Sequence, residues 1–127
     1  MISVWVVIYL LLVHWFADFV LQTRHMATKK SSSNYYLTLH VAVYSVATAL
    51  LWVLLTLVEG TGMTLLTFFN TLIITFVTHW LTDYITSRYT TKFYLAKKDK
   101  EFFGTIGFDQ WIHAATLLLT YNYIILN

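Results

Sequence analysis

Three of the six acidic residues of this 127-residue chain have a histidine four positions away: His14 and Asp18, His79 and Asp83, Asp109 and His113. Four residues is about one helical turn, so in a helix both members of each pair point from one face. Neutral imidazole nitrogen and carboxylate oxygen are donors suited to zinc, manganese or iron, and helix bundles build such centres from inward residues three or four apart. His40 adds a fourth imidazole. The candidate metal ligands are therefore His14, Asp18, His40, His79, Asp83, Asp109 and His113. A single catalytic zinc needs only three protein ligands. The set either exceeds one ion and suggests two, bridged by an aspartate, or divides into ligands and carboxylates that orient the histidines. The expected cofactor is one or two divalent transition-metal ions, zinc first, manganese or iron as alternatives. Asp18, Asp83 and Asp109 are also the candidates for bridging or for general-base catalysis.

Other polar groups fall close to these. Gln22 lies one turn beyond Asp18, Tyr44 one turn beyond His40, Thr75 one turn before His79, and Gln110 adjoins Asp109. They are candidates to orient the ligands from behind, although threonines inside apolar helices more often bond back to their own backbone. His25 has no paired acid and reads as solvated. The chain has no cysteine, which excludes disulfides and thiolate sites.

The elements that must carry these residues are apolar. The chain is 58% hydrophobic and only 11% charged, with no proline, against about 25% charged in soluble domains. Residues 2–22, 36–58, 63–87 and 106–126 form four apolar runs, each near the ~20 residues that a helix needs to cross a bilayer. The four glycines, Gly60, Gly62, Gly104 and Gly107, fall between the runs or at their ends. The expected fold is all-α: a polytopic membrane protein of one four-helix transmembrane domain, with an interfacial amphipathic segment over 89–103 before the last helix. That segment mixes Tyr89, Phe93, Tyr94, Phe102 and Phe103 with lysines, as a headgroup-level anchor does.

All eight basic residues lie in residues 24–30 or 88–100. The positive-inside rule places both segments in the cytoplasm and both termini outside. Helices one and three then run toward the cytoplasm and read H-x-x-x-D, whereas helix four runs away and reads D-x-x-x-H. In all three the aspartate is nearer the cytoplasm and the histidine about 6 Å deeper. The charge rule contains nothing of this inversion, so it is independent support for one polar slab in the inner leaflet. Ionised aspartates in mid-membrane helices cost roughly 2.5–3.5 kcal/mol each on insertion scales and generally mark function. Structural hydrogen bonding between helices is the plainer alternative.

The stretch H-W-F-A-D-F-V-L-Q of His14 to Gln22, His40, the H-W-L-T-D of His79 to Asp83 and the F-D-Q-W-I-H of Phe108 to His113 resemble an uncharacterised family of short bacterial and phage four-helix membrane proteins. The resemblance covers essentially the whole chain. More distantly, at motif level, the chain resembles the membrane-bound metal-dependent hydrolases. What this implies is a bacterial inner-membrane setting and hydrolytic chemistry at a buried metal site; it supplies no substrate.

The expected function is a membrane-embedded metal-dependent hydrolase. The depth of the site favours an amphiphilic or phosphate-containing substrate drawn from the membrane lipids. The alternatives are a proton or cation transporter and a metal-stabilised membrane interaction protein, such as a phage effector. The +2 net charge gives no reason to expect nucleic acid, and the aromatic outer faces suit a homo-oligomer.

Overall fold

A computed structural model describes residues 2–125, which form helices joined by short turns, with no strand among them. Helix α1 covers Val4–Trp15 and continues without a break as a π-helix over Phe16–Val20. Then come a short α2 (Arg24–Lys29), α3 (Asn34–Val58), α4 (Leu65–Leu95) and α5 (Asp99–Ile124). Side-chain caps explain three of the starts: Ser3 accepts from the Val6 amide, Thr23 from Met26 and Thr64 from Thr67. The turn between α3 and α4 uses Gly60 and Gly62, both at positive φ, where a Cβ would be disfavoured.

Around the bundle, α1 packs on α3 and α5, α4 packs on α3 and α5, and α2 lies against α3. The end carrying α2 and the turn between α4 and α5 holds every arginine and lysine and is called the basic end below. At the opposite end Val6, Leu10, Val13, Trp52, Leu55, Leu117 and Tyr121 form the hydrophobic core. Trp52 and Tyr121 meet edge to face at 5.2 Å, and the Tyr121 hydroxyl donates to Glu59.

Helix α4 is built inside out. Its buried residues are Thr71, Thr75, His79, Asp83 and Thr86, all polar, whereas Ile73, Val77, Leu81 and Ile85 are exposed. The same exposure of large apolar side chains covers α1, α3 and α5, with Trp5, Leu50, Leu54 and Leu119 all outward. Helices α3 and α4 are both long and apolar enough to cross a membrane, at 25 and 31 residues, and α1 with its π-helical end makes a shorter apolar helix.

Two elements differ from the sequence expectation. Residues 89–103 do not form a separate interfacial segment: Tyr89–Leu95 extend α4 and Asp99–Phe103 begin α5. An apolar run marks where a helix could be covered by lipid, not where its hydrogen bonds stop, and lysine-rich sequence continues a helix readily. The α5 start is also favoured by Asp99 and Glu101 in its first turn, where carboxylates meet the positive end of the helix dipole. Residues 2–22 are likewise not one regular helix, since the Leu21 amide bonds the Phe16 carbonyl, five residues back.

Candidate metal centre

Six of the seven candidate ligands are buried, His14, Asp18, His40, His79, Asp83 and His113, and the seventh, Asp109, has a side chain only 14% exposed. They come from α1 and its π-helical end, α3, α4 and α5, and meet at one level between the hydrophobic core and the basic end. Their closest contacts run between helices rather than along them. Asp18 lies 3.0 Å from His40 but 3.9 Å from His14. Asp83 lies 2.9 Å from His113 but 3.6 Å from His79. Asp109 lies 3.4 Å from its own-helix histidine, His113. The spacing of four residues thus delivers each pair to one face, and the helix packing re-pairs them.

The π-helix accounts for one of these exchanges. Its wider turn, closed by i to i+5 hydrogen bonds, removes the one-turn register that an α-helix would give His14 and Asp18. Asp18 accordingly turns toward α3, where His40 stands, while the His14 ring bonds the Tyr44 hydroxyl at 3.2 Å and the Gln110 amide oxygen at 3.0 Å.

Two sets of three residues could hold a metal ion: Asp18, His40 and His79, and His79, Asp83 and His113, with the ligand atoms of each set within 4.8 Å of one another. In the first set the edges are 3.0 Å (Asp18 Oδ1 to His40 Nε2), 3.3 Å (His40 Nε2 to His79 Nε2) and 3.5 Å (Asp18 Oδ1 to His79 Nε2). Ligands about 2.0–2.1 Å from a tetrahedral ion stand about 3.3 Å from each other. The triangle therefore has the size of one face of such a shell. Asp18 Oδ1 is buried without a hydrogen bond of good geometry, the state of a lone pair that a cation would use. His79 belongs to both sets and stacks on His113 at 4.0 Å.

The charge of the centre is compatible with a metal. Asp18, Asp83 and Asp109 with Lys30 sum to three negative charges and one positive when the imidazoles are neutral, a net of two negative charges that one dication or two protonated imidazoles would balance. Buried charge of this kind requires pairing or a metal.

Lys30 was not among the expected site residues. Its Nζ lies 2.7 Å from Asp83 Oδ2, with its side chain 19% exposed. Burial opposes the ammonium charge, but Asp83 and Asp18 outweigh it and hold the Lys30 pKa above the usual lysine value. Nothing in the sequence separates Lys30 from Lys29 beside it; only the turn after α2 brings it inward. Of the expected supporting residues, Tyr44 lies with its ring 4.0 Å from that of His79 and its hydroxyl on His14. Gln110 reaches His14, Asp18 and Asp109. Thr75 bonds back to the Thr71 carbonyl. Gln22 lines the cleft described next, with its side-chain oxygen buried and unpartnered. Thr86 donates to Asp109. His25 is remote from the centre, exposed and stacked on Tyr36.

A cleft of about 520 Å³ opens at the basic end with Asp18, Asp83, Asp109, Gln110 and Lys30 in its lining. A separate cavity of about 10 Å³ lies against Tyr44, His79 and His113 on the core side. The fold and the site together define an all-helical protein with a buried histidine and aspartate centre that could hold a metal ion. The chain belongs to the family described as protein of unknown function DUF3307, whose family model matches residues 6–127. No curated protein and no solved structure matches the chain.

Proposed function

We propose that this protein is a membrane-embedded metal-dependent hydrolase whose centre lies in the cytoplasmic leaflet of a bacterial inner membrane. The observation that carries the reading is the pair of interlocked His/Asp sets sharing His79, whose carboxylates Asp18 and Asp83 line a cleft at the basic end. Four spans are supported by the apolar exteriors of α1, α3, α4 and α5 in one bundle and by the polar inner stripe of α4, the reverse of a soluble helix. The lysines and arginines at the cleft end support a cytoplasmic position for that end, with both termini outside.

Zinc suits the mixed nitrogen and oxygen set, with manganese or iron as alternatives. Bound there, such an ion would supply an activated water and polarise a phosphoryl or acyl oxygen. His40, His79 and His113 would present neutral nitrogens, whereas both ring nitrogens of His14 are engaged, by Tyr44 and Gln110, so that it supports the centre from behind. Asp18 and Asp83 would hold the ion. Asp109, the least buried carboxylate, lines the cleft and accepts from Thr86 and Gln110, which suits it to take a proton from water. The ammonium of Lys30 faces the same cleft and would attract an anionic ester such as a phosphate.

A proton or cation path would need polar stations through the other half of the bundle. That half is filled by Leu10, Trp52, Leu55, Leu117 and Tyr121. Its buried threonine hydroxyls bond their own helix backbone, as at Thr56 and Thr120, or have no partner, as at Thr48 and Thr71. The one-sided access favours catalysis.

The test is elemental analysis of protein purified in detergent without chelator or polyhistidine tag, alongside its His79→Ala and His113→Ala forms, followed by a screen of phosphate esters and lipids with the metal-loaded protein. A transition metal present in the wild type and lost from both variants, with metal-dependent hydrolysis, is the expected result. Folded protein without metal would end the hydrolase reading.

A further inference from the structure

Helix α1 packs on α5, but its π-helical end does not. Residues Phe16–Val20 pack on α3, and none of their Cα atoms comes within 8 Å of a Cα of α5. The two helices therefore part at the level of the metal centre and stay apart toward the basic end. The gap is crossed by a side chain alone, that of Gln110, which reaches from α5 to Asp18 at 3.4 Å. Phe19 on one lip and Ile106 on the other line the cleft, and both are partly exposed. The outward surfaces of both helices are apolar at this height, with Val20 and Phe108 exposed.

The inner wall has the opposite character. Lys30 donates to Asp83 and, having three N–H groups, keeps donors for a second acceptor. Ser87, Thr90 and Thr91, with Tyr94 and Leu95 beyond them, line the side toward the basic end. A molecule that enters between Phe19 and Ile106 would leave its hydrocarbon in the bilayer and bring its polar end to Lys30. A water-soluble anion has no use for apolar lips.

Resting on the hydrolase reading above, we infer that the gap between the π-helix and α5 is a lateral portal through which an anionic membrane lipid presents its headgroup to Lys30 beside the metal centre. The π-helix is the device that opens it, because its wider turn carries the chain from α5 toward α3. The ligand class is an inner-leaflet amphiphile with a phosphate-bearing headgroup, bound from the side rather than from the aqueous end.

The test uses the full chain in nanodiscs of phosphatidylcholine containing a small fraction of phosphatidylglycerol with a photoactivatable diazirine beside the headgroup. Labelled peptides are mapped by mass spectrometry. Because the chain has no cysteine, a Phe19→Cys, Ile106→Cys double variant can be bridged with a bifunctional maleimide after folding, which closes the portal without disturbing assembly. Labelling of the peptides holding residues 19 and 106 is expected, falling at least fivefold on bridging and at least fivefold in Lys30→Met. The inference is overturned by equal labelling from a diazirine phosphatidylcholine, by labelling indifferent to the bridge, or by its removal with excess inorganic phosphate, which would assign Lys30 to a soluble anion. Metal content is read on the same discs. Metal without portal labelling sinks the portal alone, whereas portal labelling without metal sinks the hydrolase reading and leaves a lipid site.

Discussion

The ammonium of Lys30 sits 2.7 Å from the Asp83 carboxylate, although the two are 53 positions apart and belong to segments of opposite character, a basic turn and an apolar helix. Asp83 therefore holds a cation of the protein's own at the point where a dication would also be attracted. The other Asp83 oxygen meets His113 at 2.9 Å, so both are engaged.

Removing the Lys30 charge follows directly from this pair. Breaking a buried ion pair from one side costs about 3–5 kcal/mol because the other charge is left unpaired. Lys30→Met should lower the stability of the metal-free protein by a discounted part of that, about 1–3 kcal/mol given the partial exposure of the lysine. Added zinc should recover more stability in Lys30→Met than in the wild type, since Asp83 is then free to bind it. Thermal unfolding in detergent with and without zinc measures both; an equal zinc effect in the two proteins would contradict the competition.

His79 is common to both candidate sets, so its loss should be the most damaging single change at the centre. His79→Ala should remove all bound transition metal, whereas His25→Ala, on the exposed surface, should leave metal content unchanged. Metal analysis of the two purified proteins checks this, and full metal retention in His79→Ala would count against a shared centre.

Tyr44 touches two histidines in different ways, by its hydroxyl on His14 and by its ring on His79. Tyr44→Phe removes the hydrogen bond and keeps the ring. Loss of such an orienting partner commonly weakens metal binding by about 10–100-fold, and a decrease within that range is expected by competition with a chromophoric chelator. Tyr44→Ala should in addition destabilise the fold. Identical affinity in Tyr44→Phe and wild type would mean that the bond between Tyr44 and His14 has no part in positioning the centre.

The π-helix makes a register prediction. Deleting Ala17 should let Phe16–Val20 close as ordinary α-helix and turn Asp18 away from His40 by about 100°, one residue of helical rotation. Metal content should fall by at least one equivalent while helical content by circular dichroism stays constant. Retained metal would show that Asp18 has no part in the centre.

Orientation can be tested with single cysteines in this cysteine-free chain. Lys97→Cys, at the basic end, should resist a membrane-impermeant maleimide applied to spheroplasts, and Thr61→Cys, in the turn between α3 and α4, should react. The reverse pattern would invert the proposed topology.

Much of this architecture was legible in the residues. The His/Asp pairs at helical spacing and the inversion of their order in the last helix place these groups at one level, and six of the seven are buried. What the residues do not reveal is who pairs with whom. That depends on the rotation of each helix about its axis, set by packing at the far end around Leu10, Trp52 and Tyr121. The π-helix has no signature in F-A-D-F-V, and Lys30 looks like any lysine of a topology-setting loop. The end of α4 was also hidden, because hydropathy falls at Arg88 while the helix continues to Leu95.

The all-polar inner stripe of α4 bears on how the chain enters a bilayer. Presented to lipid alone, this helix would expose Asp83, His79 and a row of hydroxyls, and the aspartate by itself costs about 2.5–3.5 kcal/mol near mid-membrane. Its neighbour α5 follows after Ala96–Lys98 and carries His113, the histidine nearest Asp83. Under the four-span topology proposed above, insertion of α4 and α5 together, as one hairpin, would hide those groups during the crossing itself. The short connection would then act in biogenesis, making the two least independent helices of the protein a single unit of translocation.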